Sequence, residues 1–246
     1  MSLVGIDTSL SLVSLVRGTK LTVLADATAW LGRVPDFVVR PTGRGGGAAV
    51  PLAVGEIASV AGIVARLGGY YNDSPLSLAS PVQGTYAIGA SDARRARYQL
   101  RALGFPDSCP VLIDLEHEEV VTAEYVAGVR SVEPSGCLYG TLATCTLARA
   151  GGLRSWISSW GAALDYRNAA GKSLQGGNSM WQLAGNAFNG IADEDVGGAI
   201  VSRFWDGRGA GSPPALQQDG GAAQASVTIT LAGAVALTVN GKPVQP

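Results

Sequence analysis

Histidine occurs once in these 246 residues, methionine twice and cysteine three times. The single histidine, His117, argues against the multi-histidine zinc sites of many hydrolases. Cys109, Cys137 and Cys145 form no C-x-x-C pair, and their odd number argues against a full disulfide framework. They read as reduced thiols packed like small hydrophobes. Charge is sparse as well: 15% of residues are charged and the net charge is -1. No basic patch with interleaved aromatics occurs, so neither nucleic acid nor an anionic membrane surface is expected as a partner. No apolar run approaches the ~20 residues of a membrane span. The opening MSLVGIDTSL lacks the basic segment and long apolar stretch of a secretory signal. No Asp-rich calcium loop is present. GRGGG at 43–47 lacks the G-K-[ST] ending of a phosphate loop and reads as a plain flexible loop. No cofactor and no metal are expected.

Glycine and aliphatic residues are what the chain has in quantity. It holds 34 glycines and is 47% hydrophobic, which suits a large core with many tight connections. Apolar strand patterns fall at 3–8, 36–41, 76–80, 111–115, 136–140, 154–161, 179–185 and 190–196. Helical spacing falls at 55–69, 91–104, 118–132 and 141–152, with Ser91 as an N-cap and Gly104 as a stop. Alternation of this kind predicts an α/β fold with a parallel sheet and outer helices. Eight strands in about 200 residues favour a closed TIM-type (β/α) barrel with degenerate last βα units over an open doubly wound sheet. The barrel is assigned to residues 1–205. Residues 206–223, rich in Gly, Pro and Ala, read as a linker, and 224–246 as a β-hairpin turning near Gly233.

The stretch CPVLIDLEHEE, 109–119, carries the chemistry. An apolar strand delivers Asp114 and Glu116, two apart and therefore on one side, roughly 7 Å from each other. Two acids at the end of a buried strand are costly unless they bind a metal, meet cations or do acid/base work. In a parallel barrel the C-terminal strand ends form the active-site mouth. Asp7, Asp114, Glu116, Asp193 and Asp195 would all reach it. Tyr86, Tyr139, Trp156, Trp160 and Trp181 lie on or beside the same ends. Aromatic faces beside carboxylates suit a sugar ring. His117 follows Glu116 directly and so faces the other way, as a structural residue.

These motifs resemble a known family. GIDTS at the start, LIDLE in the middle, and MWQLAG followed by ADEDV are similar to the lysozyme-type barrels of glycoside hydrolase family 25. YAIGASDARRARYQLRALGFPDSCPVLIDLE with LYGTLAT is closer still to the related bacterial and phage glycoside-hydrolase-like barrels labelled a domain of unknown function. The resemblance implies hydrolysis of the β-1,4 bond between N-acetylmuramic acid and N-acetylglucosamine in peptidoglycan. Glu116 would protonate the leaving oxygen, and Asp114 or Asp193 would stabilise positive charge on the sugar or its acetamido group. Asp7 matches the first-strand acid of the family. Gln182 beside Trp181 is expected to bind substrate, as is Asp195, which stands where the family has asparagine.

Two function classes stay open at this level. One is a muramidase-like enzyme acting on cell walls after lysis or delivery, in a phage or virion-associated setting. The other is a weakly active or non-catalytic glycan-binding barrel of a phage particle or similar assembly. The C-terminal hairpin would then serve self-association or docking to that assembly.

Overall fold

The computed structural model describes residues 3–17, 20–45, 49–77, 82–115, 117, 120–158, 179–186, 192–198, 200–207, 227–232, 234–239 and 242–243. The chain divides into two compact units, Met1–Pro214 and Ala215–Pro246. In the first, strands and helices alternate: β1 (Leu3–Asp7), α1 (Val23–Leu31), β2 (Phe37–Pro41), α2 (Val54–Val60), β3 (Leu67–Tyr71), α3 (Tyr86–Ala102) and β4 (Leu112–Asp114). They continue as α4 (Ala123–Val132), β5 (Cys137–Gly140), α5 (Leu142–Ala150), β6 (Arg154–Ser158), β7 (Met180–Asn186) and β8 (Ala192–Gly197).

Strands pair in chain order, and β8 returns to β1, so the sheet closes. From β1 to β7 every pairing is parallel. β8 runs antiparallel to both of its neighbours. The expected α/β fold with a curled parallel sheet is therefore present, but the regular TIM-type repeat stops before the last strand. Chain length explains the change. Only residues 187–191 separate β7 from β8, whereas a parallel crossover needs about a dozen residues or more.

Side chains alternate between two cores, as the period of a strand requires. Phe37, Val39, Tyr70, Leu112, Cys137, Trp156 and Met180 fill the barrel interior. Ile6, Val38, Leu67, Tyr71, Ile113 and Leu138 face the helices. The Phe37 ring fills space left by glycine: a Cβ on Gly5 would meet it at 2.5 Å, and one on Gly197 at 2.8 Å. Ile200, Val201 and Phe204, just after β8, join the same interior cluster, and Trp205 pairs with Leu67 through two backbone hydrogen bonds. Because β8 is reversed, its end lies at the barrel floor, where this segment closes it.

The third strand differs from expectation. It is Leu67–Tyr71, while Pro75–Ser77 forms a 3-10 turn. Gly68 and Gly69 weaken the strand signal, yet packing requires them. A Cβ on Gly69 would lie 2.7 Å from Leu100 and Thr42, and one on Gly68 3.0 Å from the Phe204 ring. α3 begins at Tyr86 rather than Ser91, because the Thr85 hydroxyl accepts the Ile88 N–H at 3.3 Å. α1 starts where the Thr22 hydroxyl accepts the Ala25 N–H and ends at Gly32, in the left-handed region at φ 69°.

α3 and α4 cross at close range through Gly89 and Gly128. A Cβ on Gly89 would collide with the Tyr125 carbonyl, and one on Gly128 with the Tyr86 carbonyl. Both obstacles are backbone atoms that have no rotamer to escape into. Gly89→Ala is therefore expected to destabilise the fold by about 1–3 kcal/mol, despite alanine's better helix propensity. Urea unfolding measures this directly.

The second unit is a three-stranded antiparallel sheet of β9 (Val227–Ala232), β10 (Ala234–Val239) and β11 (Lys242–Pro243), in the order β11-β10-β9. Gly233, the expected turn, lies outside the described residues.

Candidate functional site

The inward parity of β1, β4, β5 and β7 brings Asp7, Asp114, Tyr139 and Gln182 into the barrel interior. Asp7 and Asp114 are the last residues of β1 and β4, at the mouth. The Gln182 amide N–H donates to Asp7 Oδ1 at 3.1 Å, and the Tyr139 hydroxyl donates to Gln182 Oε1 at 2.7 Å. These two bonds fix the amide's orientation and link three strands in one polar chain. Tyr70 belongs to the same group. Burial pushes its phenol well above the usual value, and the charges of Asp7 and then Asp114 push it further, against the opposing pull of Arg40. Tyr70 therefore remains a neutral phenol in the field of two carboxylates.

Beneath this layer lies Trp156, 1% exposed. Its indole N–H donates to Asp195 Oδ1 at 2.9 Å, and both groups are buried. The Tyr139 ring tilts onto Trp156 at 4.6 Å, and Tyr70 meets it edge-on at 6.2 Å. A neutral donor on a buried carboxylate lowers the cost of keeping that acid from water.

Loops around the mouth are tied to the strands by buried polar contacts. Arg40, wholly buried on the outer face of β2, donates to Glu56 Oε1 at 2.9 Å, to the Thr8 carbonyl at 2.6 Å and to the Val50 carbonyl at 2.9 Å. Glu56 also accepts the Leu12 N–H at 2.9 Å. Thr8 follows Asp7, so this ion pair anchors the backbone beside the first-strand acid. The loop after β2 is held by Asp73, which accepts the Gly45 N–H at 2.6 Å and the Gln99 amide at 2.9 Å. Gly43 is needed there because a Cβ would run into the Asp73 carboxylate. The described part of the GRGGG segment is thus a docked loop, not a free one.

A second buried carboxylate, Asp92, organises the loop after β3. It accepts from the Ser74 hydroxyl at 2.7 Å and the Tyr125 hydroxyl at 3.0 Å. Three residues on, the Ser77 hydroxyl donates to the Asp114 carbonyl at 2.8 Å. Burial raises the Asp92 pKa, while the hydrogen bonds and the charge of Arg95 pull it back only in part. A raised folded-state pKa means that ionisation costs more in the folded than in the unfolded chain. The parent therefore loses stability relative to Asp92→Asn as pH rises from about 3.9, the unfolded carboxyl value, through the higher folded value. Thermal melts of the two proteins across that window check the sign. Asp92→Ala strands both hydroxyls and is expected to cost about 2–5 kcal/mol at neutral pH.

The structure distributes the sequence-predicted residues unevenly. Asp7, Asp114 and Gln182 converge with Tyr139. β8 sets Asp193 opposite Asp7 in register. This happens because β8 is antiparallel, so its second residue lies at the mouth; a parallel strand would have carried Asp193 away from it. Asp195 does not reach the mouth; it lies one inward step deeper, opposite Gly5 and Gln182, and is fully buried. Trp156 likewise offers no open face for stacking: inward parity puts it in the floor. Gln182 is itself buried and orients Asp7 and Tyr139. Tyr86 lies not at a strand end but in the first turn of α3, 52% exposed. His117 is half-buried, and its carbonyl accepts the Val120 N–H at 3.3 Å. Glu116 and Trp160 lie outside the described residues, and Trp181 and Asp193 are described by backbone alone. Among the described residues no group of three or more His, Cys, Asp or Glu side chains is arranged to hold a metal. Two participants were not anticipated from sequence, Tyr70 and Arg40. Tyr70 was hidden by the weak Gly-Gly strand. An arginine inside the apolar run FVVRP was the available signal for Arg40, since a buried guanidinium requires a carboxylate partner.

No protein-family model and no curated protein matches the chain. Solved structures do match. An uncharacterized B. stearothermophilus protein, solved at 1.07 Å, aligns with a TM-score of 0.63 at 17% identity, over 82% of this chain and 99% of that one. A Tat-secreted protein of Mycobacterium tuberculosis in complex with L-tartrate aligns with a TM-score of 0.55 at 16% identity, over 78% and 94%. The modular autolysin LytC of Streptococcus pneumoniae, in complex with synthetic peptidoglycan ligand, aligns with a TM-score of 0.50 at 11% identity. That match spans 79% of this chain and 46% of the autolysin. At such identities the likeness is one of fold: this α/β architecture is similar to that of solved bacterial proteins, among them an autolysin in complex with a synthetic peptidoglycan ligand.

Proposed function

We propose that the chain is a glycoside hydrolase of the lysozyme or muramidase type, cleaving the glycan strands of peptidoglycan from the mouth of a degenerate TIM-type barrel. The observation that carries this reading is the hydrogen-bonded chain Asp7–Gln182–Tyr139 at the strand ends, with Asp114 near enough to act on the Tyr70 phenol. Carboxylates and phenols gathered at a barrel mouth can hold sugar hydroxyls and stabilise an oxocarbenium-like transition state. Similarity in fold to an autolysin solved with a peptidoglycan ligand supports the same substrate class.

In this reading Glu116, two residues beyond Asp114, is the general acid that protonates the leaving oxygen. Asp114 and Asp193 offset the positive charge that develops on the sugar or on an attacking acetamido group. Gln182 is a positioning residue: it keeps Asp7 and Tyr139 in fixed orientation at the mouth. Tyr70, kept neutral, can donate a hydrogen bond but adds no negative charge to the site.

Incubation with purified cell walls, followed by assay of reducing ends, tests the proposal. Release by the parent protein is expected. Wall binding without release would turn the reading to a glycan-binding barrel, and neither binding nor release would remove peptidoglycan as the ligand.

A further inference from the structure

We propose that Asp195 is a positioning residue for the mouth: from the barrel floor, through the Trp156 indole, it sets the orientation of the Tyr139 phenol and so of Gln182 and Asp7. The role of Asp7 in turnover rests on the glycosidase reading; the coupling that reaches it does not.

The contacts form one continuous chain. Asp195 is wholly buried, and its Oδ1 accepts the Trp156 indole N–H at 2.9 Å. β7 lies between β8 and β6, so this bond passes over a strand to tie the antiparallel β8 to β6. Trp156 is paired directly with Tyr139 across β5 and β6, and their rings meet at 4.6 Å. Tyr70 rests edge-on against the same indole at 6.2 Å. The Tyr139 hydroxyl then donates to Gln182 Oε1 at 2.7 Å, and the Gln182 amide to Asp7 Oδ1 at 3.1 Å. Gln182 is also the direct partner of Asp195 across β7 and β8. Asp195 therefore meets the polar chain of the mouth twice, through strand register and through the indole.

Control from the floor follows from the chemistry of these rings. A tyrosine is fixed by where its ring rests and by what its hydroxyl bonds. For Tyr139 the two are Trp156 and Gln182. The indole has one polar group, a donor, and Asp195 holds it. Removing that acceptor leaves a buried N–H unsatisfied, so the indole is expected to turn. In a close-packed interior the two phenols must move with it. Asp195→Asn keeps an acceptor oxygen, whereas Asp195→Leu keeps only the bulk.

These two variants of the full chain are the test. In nitrogen-labelled protein, Asp195→Leu should shift the resonances of the Trp156 indole N–H and of the Gln182 side-chain amide. Asp195→Asn should return the Gln182 amide close to its parent position. Reducing-end release, measured where all proteins are folded, should fall by about 10- to 100-fold in Asp195→Leu, the scale of a misplacement near 1 Å. The loss should lie in kcat rather than KM, and Asp195→Asn should recover most of it. Tyr139→Phe added to Asp195→Leu should lose little beyond the larger single loss, because both act on one chain. If Asp195→Leu does not fold, Trp156→Phe removes the same bond from the donor side, and the Gln182 amide should shift there too. A merely structural Asp195 gives a lower melting temperature with the Gln182 amide and kcat of the folded protein unchanged. That result overturns the proposal, as do additive losses or an Asp195→Asn as damaging as Asp195→Leu. A parent that releases no reducing ends overturns the glycosidase reading, and the Gln182 amide then decides the coupling alone: a shift upholds it and an unmoved resonance removes it.

Discussion

Glu116→Gln is expected to lower reducing-end release from purified walls by at least about 100-fold, the smaller end of what a positioned general acid contributes. Glutamine keeps the size and the hydrogen-bonding oxygen but has no proton to give to a leaving glycosidic oxygen. The loss should fall on kcat, with KM little changed, because proton transfer belongs to the transition state. The pH profile separates this from a structural effect. In the parent, kcat is expected to fall as pH rises through the range in which the proposed acid loses its proton; residual turnover by the variant should not follow that limb. The parent and variant should also unfold at closely similar temperatures. Equal release by both proteins would move the acid function away from Glu116 while leaving the rest of the mouth in place.

Arg40→Leu is expected to cost about 3–5 kcal/mol, the largest stability effect of any single substitution considered for the barrel. The guanidinium is fully buried and serves three acceptors: Glu56 and the carbonyls of Thr8 and Val50. Leucine removes the positive charge and strands the Glu56 carboxylate in an apolar layer between β2 and α2. For a chain of this length the midpoint of thermal unfolding should fall by roughly 6–20 °C. Combining Arg40→Leu with Glu56→Leu should recover part of the loss, since two apolar groups tolerate burial better than one unpaired charge. Recovery will be incomplete because Glu56 also accepts the Leu12 N–H. A double-mutant cycle by urea unfolding gives the coupling. As the Thr8 carbonyl is released beside Asp7, wall hydrolysis should weaken even at temperatures where the variant stays folded.

Much of this site was legible because a barrel translates sequence position into spatial level. An acid that ends an apolar run, as Asp7 and Asp114 do, has few places to go except the mouth. Face assignment was less legible. Position near a strand end in sequence places Trp156 and Asp195 at the mouth. Parity and register put them one layer down, where the indole N–H satisfies the carboxylate. Asp193 reached the expected level through an unexpected strand direction, which depends on the length of a connection and not on any motif. Tyr70 was hidden because its strand contains two glycines chosen for contact with Phe204, Leu100 and Thr42. Only the folded neighbourhood reveals that need. The same holds for α3, whose start at Tyr86 depends on the Thr85 hydroxyl accepting the Ile88 N–H rather than on apolar spacing.

The barrel mouth is proposed as a sugar site built on Asp7, Asp114, Glu116 and Asp193. A crystal structure of the full chain soaked with a peptidoglycan glycan fragment tests it most directly. A sugar is expected at the mouth, within hydrogen-bonding reach of Asp7 or Asp114, with the carboxyls of Glu116 and Asp193 within about 10 Å of each other, as working glycosidase pairs are. A fragment bound away from these strand ends, or a separation beyond about 12 Å between Glu116 and Asp193, would contradict it.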